Sequence, residues 1–150
     1  YKLTKASKMV GLDGQKMSKS YNNIISLREN PDEIEKKIKT MPTDPARIRR
    51  NDPGNPDICP VWSLHEIYSD KKTQKWVRSG CKEADIGCIE CKQPVINGIL
   101  KELKPIQERA KQYLENPDLV KSVVAEGCEK ARKLARDTMR EVRDVMGLDL

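Results

Sequence analysis

Apolar side chains recur along this chain at helical spacing, and the recurrences are cut into segments by proline and by three copies of Asn-Pro-Asp. The triplets stand at Asn30–Asp32, Asn55–Asp57 and Asn116–Asp118. Each has the chemistry of a helix start: asparagine to cap, proline at the first helical position, and aspartate favoured by the helix dipole. The first predicts a short helix with Ile34, Ile38 and Met41 on one face. Pro42, Pro45 and Pro53–Gly54 then predict an extended, arginine-bearing connection over residues 42–55. The second triplet predicts a helix in which Val61, Leu64, His65 and Tyr68 share a face. Asp70 caps another, through Trp76 and Val77, that stops at Gly80.

Residues 81–93 carry three cysteines with little periodicity and predict a compact loop. Pro94 opens a longer helix with Val95, Ile99, Leu103, Ile106 and Ala110 on its stripe, continuing to Tyr113 and Leu114. Pro105 is expected to kink or split it. The third triplet predicts a last helix from Pro117 to Gly147. Its stripe, from Val120 through Val124, Cys128, Leu134 and Val142 to Val145, reads as ordinary core. Only residues 2–10, with Leu3, Met9 and Val10, suggest a strand. The expectation is a mainly α chain with a scrap of α/β architecture at its start.

Composition narrows the picture. Hydrophobic residues make up 37% and charged residues 35%, so the core must be modest and the surface heavily solvated. There is no Phe, which leaves Leu, Ile, Val, Ala and Met to fill the interior. No apolar run approaches the ~20 residues of a membrane span, and no stretch resembles a secretory leader. The opening Tyr1–Lys2–Leu3–Thr4 reads as the middle of something longer, so a piece of a larger protein is expected.

Charge is unevenly placed. The net charge is +6, and residues 1–50 hold 12 Lys/Arg against 6 Asp/Glu. Later thirds are close to balanced. The surplus lies in Lys16 and Lys19, then Lys36, Lys37 and Lys39, then Arg47, Arg49 and Arg50. A polyanion would suit this distribution; an ordinary basic face explains the second group almost as well.

The candidate chemistry begins at residues 11–20, Gly-Leu-Asp-Gly-Gln-Lys-Met-Ser-Lys-Ser. Two glycines permit a turn that most residues resist. Two ammonium groups and two hydroxyls on one short loop suit a polyphosphate, where mobile cations can follow developing charge. The competing reading is a solvated lysine-rich loop.

Four cysteines, Cys59, Cys81, Cys88 and Cys91, have the spacing C-x21-C-x6-C-x2-C. Nothing in the sequence suggests secretion, which argues against disulfides. Unligated thiols, a tetrahedral zinc site and an iron–sulfur cube remain. Zinc usually takes two close pairs, whereas here two of the four arrive singly, which a cube accepts more readily. Cys128 stands apart on the final stripe as a buried apolar residue. His65, the single histidine, has no Ser or Cys partner identifiable from spacing and is expected to pack rather than catalyse.

Lys16–Met17–Ser18–Lys19–Ser20 is letter for letter the KMSKS motif of class I aminoacyl-tRNA synthetases. Gly11–Leu12–Asp13–Gly14 resembles the approach to that loop in the tryptophanyl and tyrosyl enzymes. Thr43–Asp44–Pro45, Asp52–Pro53–Gly54 and Cys59–Pro60–Val61–Trp62 look like the tryptophanyl family's connection into its helical domain. The cysteine spacing is similar to a [4Fe–4S] pattern found in some bacterial members. The chain therefore resembles the C-terminal part of a bacterial-type tryptophanyl-tRNA synthetase. A tyrosyl-tRNA synthetase fragment is the enzyme alternative, and a non-catalytic, metal-stabilised RNA-binding helical module is the alternative of another class.

The resemblance implies that residues 1–29 end a class I Rossmann-type catalytic domain. Residues 30–150 would then form a helical, anticodon-binding-type domain. It implies ATP with Mg²⁺ at Lys16, Met17, Ser18, Lys19 and Ser20, with Lys16 and Lys19 acting in catalysis. It implies tRNA at Arg47, Arg49 and Arg50, and a [4Fe–4S] cluster, or zinc, at Cys59, Cys81, Cys88 and Cys91. Tryptophan joins ATP and tRNA as a partner, and the whole enzyme is expected to be a cytoplasmic homodimer with no membrane contact. No HIGH-type histidine pair and no complete nucleotide-binding sheet occur in this chain, so the fragment alone is expected to be inactive.

Overall fold

The computed structural model describes residues 7–148, which are mainly helical. The elements are α1 (Pro31–Thr40), α2 (Pro60–Tyr68), α3 (Lys71–Lys82), α4 (Cys88–Leu114) and α5 (Pro117–Met146), with 3-10 turns at Lys19–Tyr21 and Pro56–Ile58. Among the described residues the β structure reduces to one isolated antiparallel bridge, Val10 to Lys16. Residues 2–6 of the expected strand lie outside the described residues.

The three Asn-Pro-Asp triplets all cap. The side chain of Asn30 accepts from Asp32 N at 3.0 Å, that of Asn55 from Asp57 N at 3.0 Å, and that of Asn116 from Leu119 N at 3.2 Å. The second triplet, however, starts only the 3-10 turn. Cys59 is extended (φ −82°, ψ 120°), and the helix restarts at Pro60. The residue before a proline resists helical geometry, so Pro60 both ends one element and begins the next. Asp70 caps α3 by accepting from Thr73 N at 2.7 Å, as expected.

The cysteine segment is a correction to the sequence reading. Instead of a loop over 81–93, α3 runs on to Lys82 and α4 begins at Cys88, so Cys81, Cys88 and Cys91 are all helical. The connection between them is short, closed by Asp85 N and Ile86 N donating to Gly80 O. Pro94 lies inside α4 rather than opening it, and Pro105 does not split it.

The chain divides into two units, residues 1–107 and 108–150, with the boundary inside α4. The core of the first is built by Ile34, Ile38 and Met41 of α1 and its end, Val61 and Leu64 of α2, and Val95, Ile96, Ile99 and Leu103 of α4. Met9, Val10 and Ile25, which flank the lysine loop, pack against the same core. Lys92 is buried there too, its Nζ donating to Lys39 O at 2.7 Å and Met41 O at 2.6 Å. Those carbonyls lie at the C-terminal end of α1, where no further turn supplies donors.

In the second unit α5 ends at Gly147, which adopts the left-handed conformation (φ 65°). None of the described α5 residues is buried. The stripe read as core is exposed, and so is Cys128. Tyr113 and Leu114 at the end of α4 are exposed as well.

Candidate functional site

The lysine loop is organised by one buried side chain. Asn23 is 3% exposed, and its amide reaches three parts of the loop. Its Oδ1 accepts from Ser18 N at 2.7 Å, while its Nδ2 donates to Asp13 Oδ1 at 2.8 Å and to Lys16 O at 3.1 Å. Asp13 Oδ1 also accepts from Gln15 N at 2.9 Å. The Asn23 bond, followed by that backbone bond, holds the Asp13 carboxyl below its ordinary range.

Backbone bonds complete the frame: Gly11 N to Gln15 O at 2.7 Å, Met17 N to Met9 O at 2.9 Å, and Leu12 N to Asn23 O at 2.9 Å. Gly14 sits at φ 83°, where a side chain would strain the turn. Against this fixed backbone Lys16, Lys19 and Ser20 are exposed, and Met17 and Ser18 are half-buried. The frame thus presents two free-standing ammonium groups on a loop whose course is set.

The three arginines part company. Arg47 is only 8% exposed. Its Nη2 donates to Arg50 O at 2.8 Å and to Ile86 O at 2.6 Å, and its Nη1 lies 3.8 Å from Cys81 Sγ. Expected on an RNA surface, it is instead turned inward as a clamp between the 42–55 connection and the turn before α4. Arg49 and Arg50 are exposed. Asp52 Oδ2 shapes their segment by accepting from Ile48 N at 3.1 Å and Arg49 N at 2.6 Å. With Lys39, Ile48, Cys88 and Ile89 they line an open groove of about 670 Å³.

The cysteines gather from three elements. Cys59, Cys81 and Cys91 line one small cavity of about 20 Å³ together with Trp62, His65 and Val77. Burial pushes the Cys91 thiol up to about 12, and the charges of Cys59, Cys81 and Cys88 add to the rise. Cys81 is raised as well, chiefly by burial, with Arg47 opposing. All four cysteines are therefore electrostatic neighbours. Among the described residues no three His, Cys, Asp or Glu side chains are grouped so as to hold a metal ion.

His65 is fully buried beside them. Its Nδ1 is 2.8 Å from Ser69 Oγ and its Nε2 is 3.5 Å from Cys91 Sγ. Burial lowers its pKa. Spacing missed both partners: Ser69 lies one helical turn on, and Cys91 arrives from another helix. Gly54 shows how closely the cysteine region is packed, since a β-carbon there would stand 2.6 Å from Cys81 Sγ.

The family of class I tRNA synthetases (W and Y) matches residues 2–141. The chain belongs to that family. A tryptophan–tRNA ligase from Ralstonia nicotianae is 60% identical over 97% of this synthetase chain, which spans 36% of that relative's length. A tryptophan–tRNA ligase from Thermotoga maritima is 46% identical over 97% of the chain, which spans 45% of that relative. Among solved structures, a tryptophanyl-tRNA synthetase from Campylobacter jejuni is similar, with a TM-score of 0.81, 27% identity, and coverage of 95% of this chain and 45% of that one. The synthetase chain thus spans less than half the length of these relatives.

Sequence reasoning gives Asn23, which follows the motif in Tyr21–Asn22–Asn23, no structural role of its own. Its signal was faint: a second consecutive Asn, ten positions from Asp13, with nothing in a helical or strand period to mark it. Its role follows from the loop folding back on itself. Lys16, Met17, Ser18, Lys19 and Ser20 lie on that one loop, Arg49 and Arg50 line one groove together with Cys88, and Cys59, Cys81 and Cys91 line one cavity.

Proposed function

We propose that this chain is the KMSKS-loop and tRNA-binding part of a tryptophan–tRNA ligase. In the whole enzyme, ATP and tryptophan would form an adenylate, and the aminoacyl group would pass to tRNA. The observation that carries this reading is the KMSKS string on a loop whose backbone is pinned by Asn23 while Lys16 and Lys19 stand in solvent. Charge grows on the departing pyrophosphate as the α–β bond breaks. Two ammoniums on a fixed loop can stabilise that charge with little reorganisation. Ser18 N and Met17 N are already committed to Asn23 Oδ1 and Met9 O. The loop's contribution falls to the two lysines, the Ser18 and Ser20 hydroxyls and the loop's remaining backbone N–H groups, with Mg²⁺ accompanying the nucleotide.

Residues 1–29 are read as the end of the catalytic domain and residues 30–150 as the helical, anticodon-binding-type domain. Arg49 and Arg50, not Arg47, are its candidate tRNA contacts. The chain alone is inactive in this reading, and the whole enzyme is a cytoplasmic homodimer.

Four thiols are the donor set of a [4Fe–4S] group: Cys59, Cys81 and Cys91 line one small cavity, and Cys88 is near enough for its charge to act on Cys91. Cys59, Cys81, Cys88 and Cys91 would hold it, with zinc as the alternative. When bound, it supplies a cross-link between α2, α3 and α4 and takes no part in adenylation. The loop assignment is tested in the intact enzyme. Lys19→Ala should slow tryptophan-dependent pyrophosphate exchange about 100-fold or more, with tryptophan binding much less affected. Unchanged exchange would remove the role given to Lys19.

A further inference from the structure

Residues 101–150 look electrically neutral in sequence, with 11 Lys/Arg against 10 Asp/Glu. Folding sorts those charges. On α5, Arg132, Arg136, Arg140 and Arg143 follow one another at intervals of four, four and three, so they share one helix face. They line a surface depression of about 510 Å³ with Ala135, Met139 and Asp144. Arg132 is tied to Glu129 at 2.8 Å. Arg136, Arg140 and Arg143 have no ion-pair partner among the described residues. At roughly 100° per residue the apolar stripe through Val120, Val124, Ala131 and Val142 is centred about 130° around the helix from the arginines, and Ala135 and Met139 of the depression lie between the two.

We infer that the Arg132–Arg143 face of α5 binds the phosphate backbone of tRNA, as a contact separate from the Arg49–Arg50 groove. The choice of partner rests on the tRNA ligase reading above. The four guanidiniums extend over about 16 Å of helix, the reach of several consecutive phosphates. Guanidinium is the side chain best matched to phosphate oxygens, to which it donates in pairs. The contact carries no base information: it fixes register and adds affinity.

The test uses full-length protein and a transcript of tryptophan tRNA. Arg136→Gln with Arg140→Gln should weaken tRNA binding at least about tenfold and lower the slope of log K against log salt by about 2. Arg136→Lys with Arg140→Lys should keep most of that slope. Tryptophan-dependent pyrophosphate exchange, which needs no tRNA, should stay at the wild-type level in both. Wild-type affinity and slope in the glutamine variant would overturn the assignment. So would an equal loss of exchange and tRNA binding, which would place this face against another part of the enzyme. A wild-type enzyme without tryptophan-dependent exchange would instead sink the ligase reading on its own.

Discussion

The side-chain amide of Asn23 occupies the space that a β-carbon on Gly11 would need, and Asn23 O itself would lie 2.9 Å from that carbon. The two residues are twelve positions apart, at opposite ends of the lysine loop, and they close it like a clasp. Loop geometry therefore depends on a residue outside the five-letter motif. In the intact enzyme, Asn23→Ala should slow pyrophosphate exchange by about 10- to 100-fold, the scale for a misplaced catalytic group. Lysine charge is unchanged in this variant, so tryptophan KM should move little. Gly11→Ala should act in the same direction. Steady-state exchange kinetics would check both, and a wild-type rate in Asn23→Ala would remove the clasp from the mechanism.

Arg47 should behave as part of the interior. Arg47→Ala leaves the carbonyls of Arg50 and Ile86 without their donor, and a stability loss of about 2–3 kcal/mol is expected for buried bonds from a charged group. Arg49→Ala and Arg50→Ala should each change stability by less than about 0.5 kcal/mol, and instead weaken tRNA binding. Denaturant unfolding and filter binding on the three variants separate the two roles.

Full-length protein purified without oxygen should be brown and carry about four irons per chain. One zinc per chain would assign the site to a tetrahedral ion instead. Gly54→Ala should lower the metal content in either case, because its β-carbon collides with Cys81 Sγ. Metal analysis that finds neither element, with all four thiols titratable, would end the cluster proposal.

Tyr68 gives the fold an alkaline limit. Burial raises its pKa above 10.0, and the charge of Glu102 adds to the rise. The folded state then keeps the phenol proton where the unfolded chain loses it, so stability is full below pH 10 and falls as pH rises toward the folded pKa. Tyr68→Phe should flatten that decline. Unfolding curves for both proteins between pH 9 and 11 would show parallel loss if Tyr68 played no part.

Much of the helical plan was legible because caps and periodicity are local. Asn30, Asp70 and Asn116 mark helix starts through bonds to residues two or three positions away, and the faces of α1 and α2 follow their apolar spacing. Failures came where a distant neighbour decides. Pro94 reads as a helix opening, yet α4 carries it within its second turn. The α5 stripe announces a face to be covered but cannot say by what, and here its described residues are exposed. Arg47 looks like its neighbours Arg49 and Arg50 until Ile86 and Cys81 close over it. Likewise, cysteine spacing cannot reveal that His65 would join the group.

The hold of Lys92 on the end of α1 has a consequence for the order in which the molecule is made. A chain emerging from the ribosome completes α1 and α2 long before it reaches α4, which supplies Val95, Ile96, Ile99 and Leu103 to their shared core. Until then Ile34, Ile38, Val61 and Leu64 have no α4 surface to pack against, and the carbonyls of Lys39 and Met41 lack the ammonium that joins them from more than fifty positions away. Such long-range closure slows folding. A nascent chain halted before Lys92 would leave the apolar faces of α1 and α2 without α4, and that stretch of synthesis is open to proteolysis and aggregation.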